Sequence, residues 1–277
     1  MIEVYVLFGL GLIWILFATI EDIRTREIAN WLNFSLIIFA LGFRFFYSLF
    51  EMSDFGFFYQ GVIGFGIFFV LSNLFYYGKM FAGGDQKLMM ALGAILPFSL
   101  DFVYNIKILG GFIFLFLIVG AAYGLSASLY FGIKNFDKFK KEFVKQLNQR
   151  RNFVIVFLAF ACAILILGFM ESMFFSFGIF FFVIPYFYIY VKSVDEACMV
   201  RKVKTDKLTL GDWLYKNEKV GGKIVKATWD GLTEKDIELL RKKRGKVYIR
   251  YGVQFAPVFL ISFILLGLIY YFSWFGF

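Results

Sequence analysis

Two acidic residues carry the chemistry this chain could do. Asp85 lies in Phe81-Ala82-Gly83-Gly84-Asp85-Gln86-Lys87, between an apolar segment that ends at Tyr77 and another that begins at Leu88. Asp22 lies in Glu21-Asp22-Ile23-Arg24-Thr25-Arg26-Glu27-Ile28, at the end of the first apolar segment. A carboxylate is costly to keep beside a bilayer, which makes each a functional candidate. Gly83 and Gly84 take away side-chain bulk next to Asp85, so a second backbone can come close to its carboxylate. Two carboxylates a few ångströms apart cannot both ionise comfortably, and share one proton near neutral pH. The ionised member takes a proton from water, and that water attacks an amide carbonyl. The protonated member donates to the carbonyl oxygen and later helps the amine leave. The expected chemistry is peptide hydrolysis by Asp22 and Asp85, with no metal and no cofactor. Such a pair titrates as a unit, so acid and base are assigned to neither residue alone.

Each aspartate has a plainer reading. Asp22 could end a helix among the headgroups, and Glu21 competes with it as the relevant acid. Asp85 could cap the N-terminus of the next helix, where Asp is among the preferred residues. Taken singly, both plain readings are the better ones. The glycine pair and a shared membrane face, shown below, tip the balance when the two are taken together. Lys87 reads as an interfacial anchor that could tune the field of the dyad, and Asn73 and Ser72 as helix-packing residues.

Composition removes the main competitors. Hydrophobic residues make up 61% of the 277, and the mean hydropathy is +0.75. This is far above the average soluble domain and marks an integral membrane protein. There is no histidine, which excludes His-dependent Ser and Cys nucleophiles and H-E-x-x-H metallopeptidases. Cys162 and Cys198 form no C-x-x-C pair, so neither a zinc ribbon nor a disulfide framework is indicated. The start of the chain, with Glu3 and no basic stretch, does not read as a cleaved signal peptide. The net charge of +9 is unevenly placed, and nucleic acid is a poor explanation of it.

The elements that must position the aspartates are apolar runs near residues 4–20, 32–50, 57–77, 88–106, 108–131, 153–171, 173–191 and 255–276. The stretch 153–191 would be roughly 58 Å long as one helix, against a hydrocarbon core of about 30 Å, so it turns at Glu171-Ser172. The expected fold is therefore an all-α polytopic membrane protein of about eight transmembrane helices, with six or seven as alternatives. The fourth run is the least clear, because Pro97, Asp101 and Lys107 interrupt it. With the N-terminus outside, the inner loops hold Arg24, Arg26, Lys79, Lys87, the cluster Lys134 to Arg151, and every basic residue from Lys192 to Arg250. Only Arg44 and Lys107 lie toward the other face, beside Glu51, Asp54, Asp101 and Glu171. This asymmetry puts both aspartates on the cytoplasmic side. Two spans separate them, so they can meet.

Residues 192–254 break the apolar pattern and read as a small α+β cytoplasmic module. It divides the chain into a membrane catalytic domain (1–191), the module (192–254) and a C-terminal transmembrane helix (255–277). Gly221-Gly222 and Asp230-Gly231 signal turns, Lys223 to Thr228 and Lys246 to Ile249 read as extended, and Thr233-Glu234-Lys235-Asp236 opens a helix that runs through Arg244. Gly120-Ala121-Ala122-Tyr123-Gly124, and Gly61, Gly64 and Gly66, are packing motifs of membrane helices.

The two acidic motifs resemble those of archaeal type IV prepilin peptidases, a branch of the G-x-G-D membrane aspartyl proteases. That family sets one aspartate in Asp-x-Arg-x-x-x-Ile, matched by Asp22, Arg24 and Ile28, and a second in Gly-x-Gly-Asp-x-Lys, matched by Gly84, Asp85 and Lys87. The first glycine of the second motif is replaced by Ala82, which is still small, and Gly83 follows it. The stretch from Leu208 to Asp212 and on through Gly231 to Ile237 is also similar to the C-terminal module of archaeal members. The resemblance implies an aspartic prepilin peptidase in the cell membrane that removes short basic leaders, the class III signal peptides, from pilin or archaellin precursors on the cytoplasmic side. The Cys tetrad of bacterial members is missing, so their N-methyltransferase activity is not implied. Glu21 and Glu27 could attract the basic leader, while the positive surface elsewhere suits anionic lipid headgroups. Two other readings remain. A presenilin-like intramembrane protease would carry a Pro-Ala-Leu motif, absent here. A transporter or pilus-assembly scaffold would need polar residues near the bilayer midplane, and the runs are mostly bare of them.

Overall fold

A computed structural model describes residues 2–52, 54–229, 231–243 and 245–274. The chain falls into two compact units, Met1–Gly124 with Val253–Phe277, and Leu125–Gly252. The first holds both aspartates. It is built from α1 (Ile2–Thr25), α2 (Asn30–Tyr47, continued by a π turn over Ser48–Met52), α3 (Gly56–Tyr77), α4 (Gly83–Ile95), the first part of α5 (Phe102–Lys134) and α10 (Ala256–Trp274). Five helices among the described residues, namely α1, α2 with its π turn, α3, α5 and α8, are long and apolar enough to cross a membrane. A sixth span is available if the bent pair α6–α7 counts as one, and α10 is a shorter apolar helix. The protein is a multi-pass helical membrane protein with a small strand-containing module, as its sequence indicates, but it falls short of eight spans.

Part of the shortfall lies in α7, long enough only when joined to α6, and in the shorter α10; the rest lies in the fourth apolar run. Instead of a span over 88–106, the chain forms the 13-residue helix α4, about 20 Å long and too short for a core of about 30 Å. Pro97, which has no N–H to continue the ladder, follows its end, and a new helix starts only at Phe102. Leu88, Met89, Ala91, Leu92, Gly93, Ala94 and Ile95 are all buried, so α4 is wrapped on every side by its neighbours.

Its strongest contacts are with α3. The buried positions of α3 are Phe57, Gly61, Gly64, Phe68 and Ser72, a stripe at helical spacing. Gly64 and Gly93 face each other so closely that a side chain at Gly93 would come within 2.5 Å of the Gly64 carbonyl oxygen. The small residues let the two backbones touch, which is how helices gain packing energy in lipid. Gly66 meets nothing within 4 Å.

An α-helix ends with four carbonyls that lack an internal partner, and inside a membrane none can be left to water. Arg44 solves this for α4. It is fully buried. Its Nε donates to the Ala94 carbonyl at 2.8 Å and its Nη2 to Ile95 at 3.1 Å and to Pro97. Nη1 donates to Phe57 at 3.0 Å, and the guanidinium lies 4.4 Å from the Phe57 ring centre. A positive group at a helix C-terminus also suits the helix dipole. Gly61 leaves the room that the arginine stem fills, since a Cβ there would collide with Arg44 Cδ.

The second unit contains the end of α5, α6 (Phe136–Gln149), α7 (Arg151–Leu167) and α8 (Met173–Cys198). The break in apolar pattern at residue 192 does not end α8, which continues to Cys198. Beyond it, β1 (Val200–Lys204), β5 (Lys246–Arg250) and β2 (Trp213–Leu214) form an antiparallel sheet with β5 in the middle. β3 (Glu218–Val220) and β4 (Lys223–Val225) form a hairpin, whose turn uses Gly221 and Gly222 at φ of 53° and 81°. α9 (Glu234–Lys242) opens at Thr233, whose hydroxyl accepts the Asp236 N–H at 3.3 Å while the Asp236 carboxylate accepts the Thr233 N–H at 3.1 Å. The turn expected at Asp230 and the helix end expected at Arg244 fall on residues outside those described. Leu208, Leu214, Val225, Leu232, Ile237, Leu240, Val247 and Ile249 make the module's own core.

The clamp on α4 yields a stability test. Arg44→Met keeps an apolar stem but strands the carbonyls of Ala94, Ile95 and Pro97. It is expected to cost about 3–5 kcal/mol, with Arg44→Lys in between. Thermal unfolding in detergent measures this; an unchanged midpoint in Arg44→Met would show that the clamp contributes nothing.

Candidate active site

Asp22 reaches the interior because it completes a helical stripe. The buried residues of α1 are Val4, Leu7, Gly11, Ile15, Ala18, Thr19 and Asp22, which repeat at helical spacing along one face. That face packs on α10: Phe8 stacks on Phe263 at 4.7 Å, and a Cβ on Gly11 would lie 2.8 Å from the Phe263 ring. Asp22 is only 6% exposed. It is therefore not an ordinary helix end among headgroups. Its Oδ2 accepts the N–H of Ala256, the first residue of α10, at 3.0 Å. Thr19, one turn earlier, donates its hydroxyl to the Ala256 carbonyl at 3.4 Å.

Asp85 stands in the first turn of α4. Its carboxylate accepts the Ala82 N–H at 3.3 Å, so the helix-capping role open to it from sequence is part of what it does. The cap residue is Ala82 rather than Asp85 itself. Burial and then the nearby charge of Asp22 push the Asp85 carboxyl up to about 7, and the Ala82 N–H offsets this only in part. The two aspartates, 63 positions apart in the chain, are thus electrostatically coupled. α2 and α3 lie between them, the pair of spans that the sequence required.

The glycine pair divides its work. A Cβ on Gly84 would sit 3.2 Å from the Ile28 Cβ and 3.4 Å from the Ile28 backbone N, whereas one on Gly83 meets nothing. The close backbone approach expected from the sequence occurs at Gly84, and the visitor is the α1–α2 loop that follows Asp22. Both loops beside the aspartates leave the preceding helix through a left-handed residue, Arg26 at φ 64° and Lys79 at φ 60°, a conformation that costs non-glycine residues about 1 kcal/mol or more. Polar ties hold these loops. Glu21 accepts the Ala29 N–H at 3.0 Å, Lys87 donates to Asn30 at 2.6 Å, and Gln86 donates to Asn73 at 3.0 Å. Glu21 is thereby a loop fastener, and Lys87 joins α4 to the start of α2. Arg24 is exposed.

Beneath the aspartates lies an aromatic floor. Phe81, 2% exposed, meets Phe75, Phe116, Phe255 and Phe259 at 5.0 to 6.4 Å. Gly120 leaves room for Phe255, whose ring would come within 3.1 Å of a Cβ there. Tyr123, on α5, lies within electrostatic range of Asp22. Sequence reading missed Arg44, Thr19, Tyr123 and the start of α10. Arg44 had a signal, a lone cation inside an apolar run; the amides of α10 had none.

With this geometry in view, similarity to known proteins can be placed on it. Residues 9–125 match the Type IV leader peptidase family. The match takes in Asp22, Asp85, α2 to α4 and most of α1, and stops short of α10. Over 90 residues the chain is 37% identical to a preflagellin peptidase of Methanocaldococcus jannaschii, covering 32% of this chain and 38% of that one. Over 97 residues it is 34% identical to the preflagellin peptidase of Methanococcus maripaludis, covering 35% and 40%. It is 27% identical over 152 residues to that of Methanococcus voltae, covering 50% and 64%. The chain thus spans between 38% and 64% of the length of these relatives. No solved structure matches it.

The raised proton affinity of Asp85 has a pH signature. Its folded value of about 7 lies above the ordinary 3.8, so the folded state holds a proton that the unfolded state releases between those values. Stability from this group is complete below about pH 4 and is lost as pH rises through 7. Asp85→Asn, which mimics the protonated acid, is expected to flatten that fall and to be more stable than wild type at pH 8. Unfolding midpoints from pH 4 to 8 check this; a parallel decline in both proteins would contradict it.

Proposed function

We propose, from the match of residues 9–125 as premise, that this protein is a membrane aspartyl endopeptidase that removes short basic leaders from archaellin or pilin-like precursors. The observation that carries the proposal is the coupling of Asp22 and Asp85, both within the matched segment. Burial, with the nearby charge of Asp22 added to it, pushes the Asp85 carboxyl up to about 7, the condition a two-aspartate hydrolase needs. In the first step the ionised carboxylate removes a proton from water while the oxygen bonds to the scissile carbonyl carbon. The protonated carboxylate gives its proton to the carbonyl oxygen, forming a neutral gem-diol. In the second step the C–N bond breaks as a proton passes to the amine, and the diol loses a proton to become the new carboxyl group.

The substrate class follows from where this chemistry sits. The aspartates belong to the C-terminal end of one span and to the helix that follows a second return to the same side. By the distribution of basic residues that side is the cytoplasmic one. A precursor with a basic leader and an apolar stem would lay its stem in the bilayer and bring the junction to this level. The names of the relatives favour archaellins over other pilin-like precursors. A transporter reading gains little from the buried Arg44, because it already donates to four backbone carbonyls.

Co-expression with an archaellin precursor tests the proposal by gel shift. Cleavage is expected in the wild type. In Asp22→Ala and in Asp85→Ala it is expected to fall by at least about a thousandfold, since each removes a member of a cooperating unit. Cleavage that survives either change would refute the dyad.

A further inference from the structure

The two carboxylates do not have equal surroundings. Asp22 meets the N-terminal end of α10, whose first amides have no partner in the preceding turn of a helix. The Val258 N–H is spent on Phe255 O at 3.0 Å, and Pro257 has none. The Ala256 N–H goes to the Asp22 carboxylate at 3.0 Å. The start of a 19-residue helix carries partial positive charge that favours an anion. Asp85 has less: the amide of its own cap at 3.3 Å, with the Asp22 charge beside it. Burial works against a charge at both positions, and only Asp22 has a donor at the start of another helix to offset it.

We propose that the N-terminus of α10 is a positioning element that keeps Asp22 as the ionised, water-activating member of the pair and leaves the shared proton on Asp85. The inference rests on the two-aspartate reading above and assigns its roles. The other groups facing Asp22 agree with it. Arg26, on the loop after α1, favours the anion. Tyr123 from α5 is an uncharged phenol at neutral pH, and Asp85 from α4 is the proton's other home. Glu21 is turned to the Ala29 N–H and Lys87 to Asn30. Thr19, holding the Ala256 carbonyl, fixes α10 at the height where its amide meets the carboxylate. The C-terminal helix, outside the segment that matches the peptidase family, thereby becomes part of the working site.

Ala256→Pro removes the N–H while keeping a residue suited to the first turn of a helix. The full-length protein, labelled with 13C at the Asp side-chain carboxyls and held in lipid nanodiscs, is titrated by NMR, with Asp22→Asn and Asp85→Asn assigning the signals. Asp22 is expected to titrate below Asp85 in the wild type. In Ala256→Pro it should rise by about one unit, and the acidic limb of kcat/KM for precursor cleavage should shift to higher pH with it. If Asp85 is the lower-titrating group, or if Ala256→Pro inserts normally and moves neither signal, the assignment is overturned. Should that variant fail to insert, the wild-type order alone decides. The expected order with no precursor cleavage would sink the peptidase reading and leave this assignment standing.

Discussion

A helix that stops inside a membrane must find donors for its last carbonyls, and this protein spends the fully buried Arg44 on that task. Arg44 holds Ala94, Ile95 and Pro97 from α2 and Phe57 at the start of α3. The clamp makes a 13-residue helix admissible where a span would be expected. With that end fixed, and with Gly64 and Gly93 in backbone contact, the opposite end of α4 has a determined place. Asp85 occupies the first turn of that end. The arginine therefore governs the site from the far end of a rigid rod, without touching it.

The site itself is an assembly of chain segments that are remote in sequence. α1 supplies Asp22 from the last turn of a buried stripe, α4 supplies Asp85, and α10 supplies the amide that Asp22 accepts. Phe81 links them, since it precedes the glycine pair and packs against α5 and α10 together. Buried charge is expensive unless bonded. On the proposed two-aspartate reading, one carboxylate meets this requirement through a helix N-terminus and the other by holding a proton, the division that a hydrolytic pair requires.

Much of this was legible in the residues. The apolar runs gave the multi-pass class, the two motifs gave both aspartates, and the even number of intervening spans gave their common side. The glycine pair gave the close approach, although only Gly84 uses it. What sequence could not give was tertiary. In residues 88–106 Pro97 marks the break, but the carbonyls that Arg44 serves, which let the helix stop at Ile95 inside a membrane, leave no local signal. Arg44 was legible as a cation toward the outer membrane face, but its burial was not, because position along a helix says nothing about which side faces protein. The tie between Asp22 and Ala256 joins residues 234 positions apart, beyond the reach of any local pattern. The Thr233 cap and the β5 strand were readable because their determinants are local.

The account stands or falls on the loop after Asp22 lying directly on the helix start that carries Asp85. Ile28→Cys with Gly84→Cys, in a chain with Cys162 and Cys198 replaced, measures this most directly. The Cβ positions are 3.2 Å apart, close to the separation of about 3.8 Å found in disulfides. Mild oxidation in native membranes should link the pair almost completely, with the joined peptides found by mass spectrometry. Two thiols that remain separately alkylated after oxidation would contradict the account.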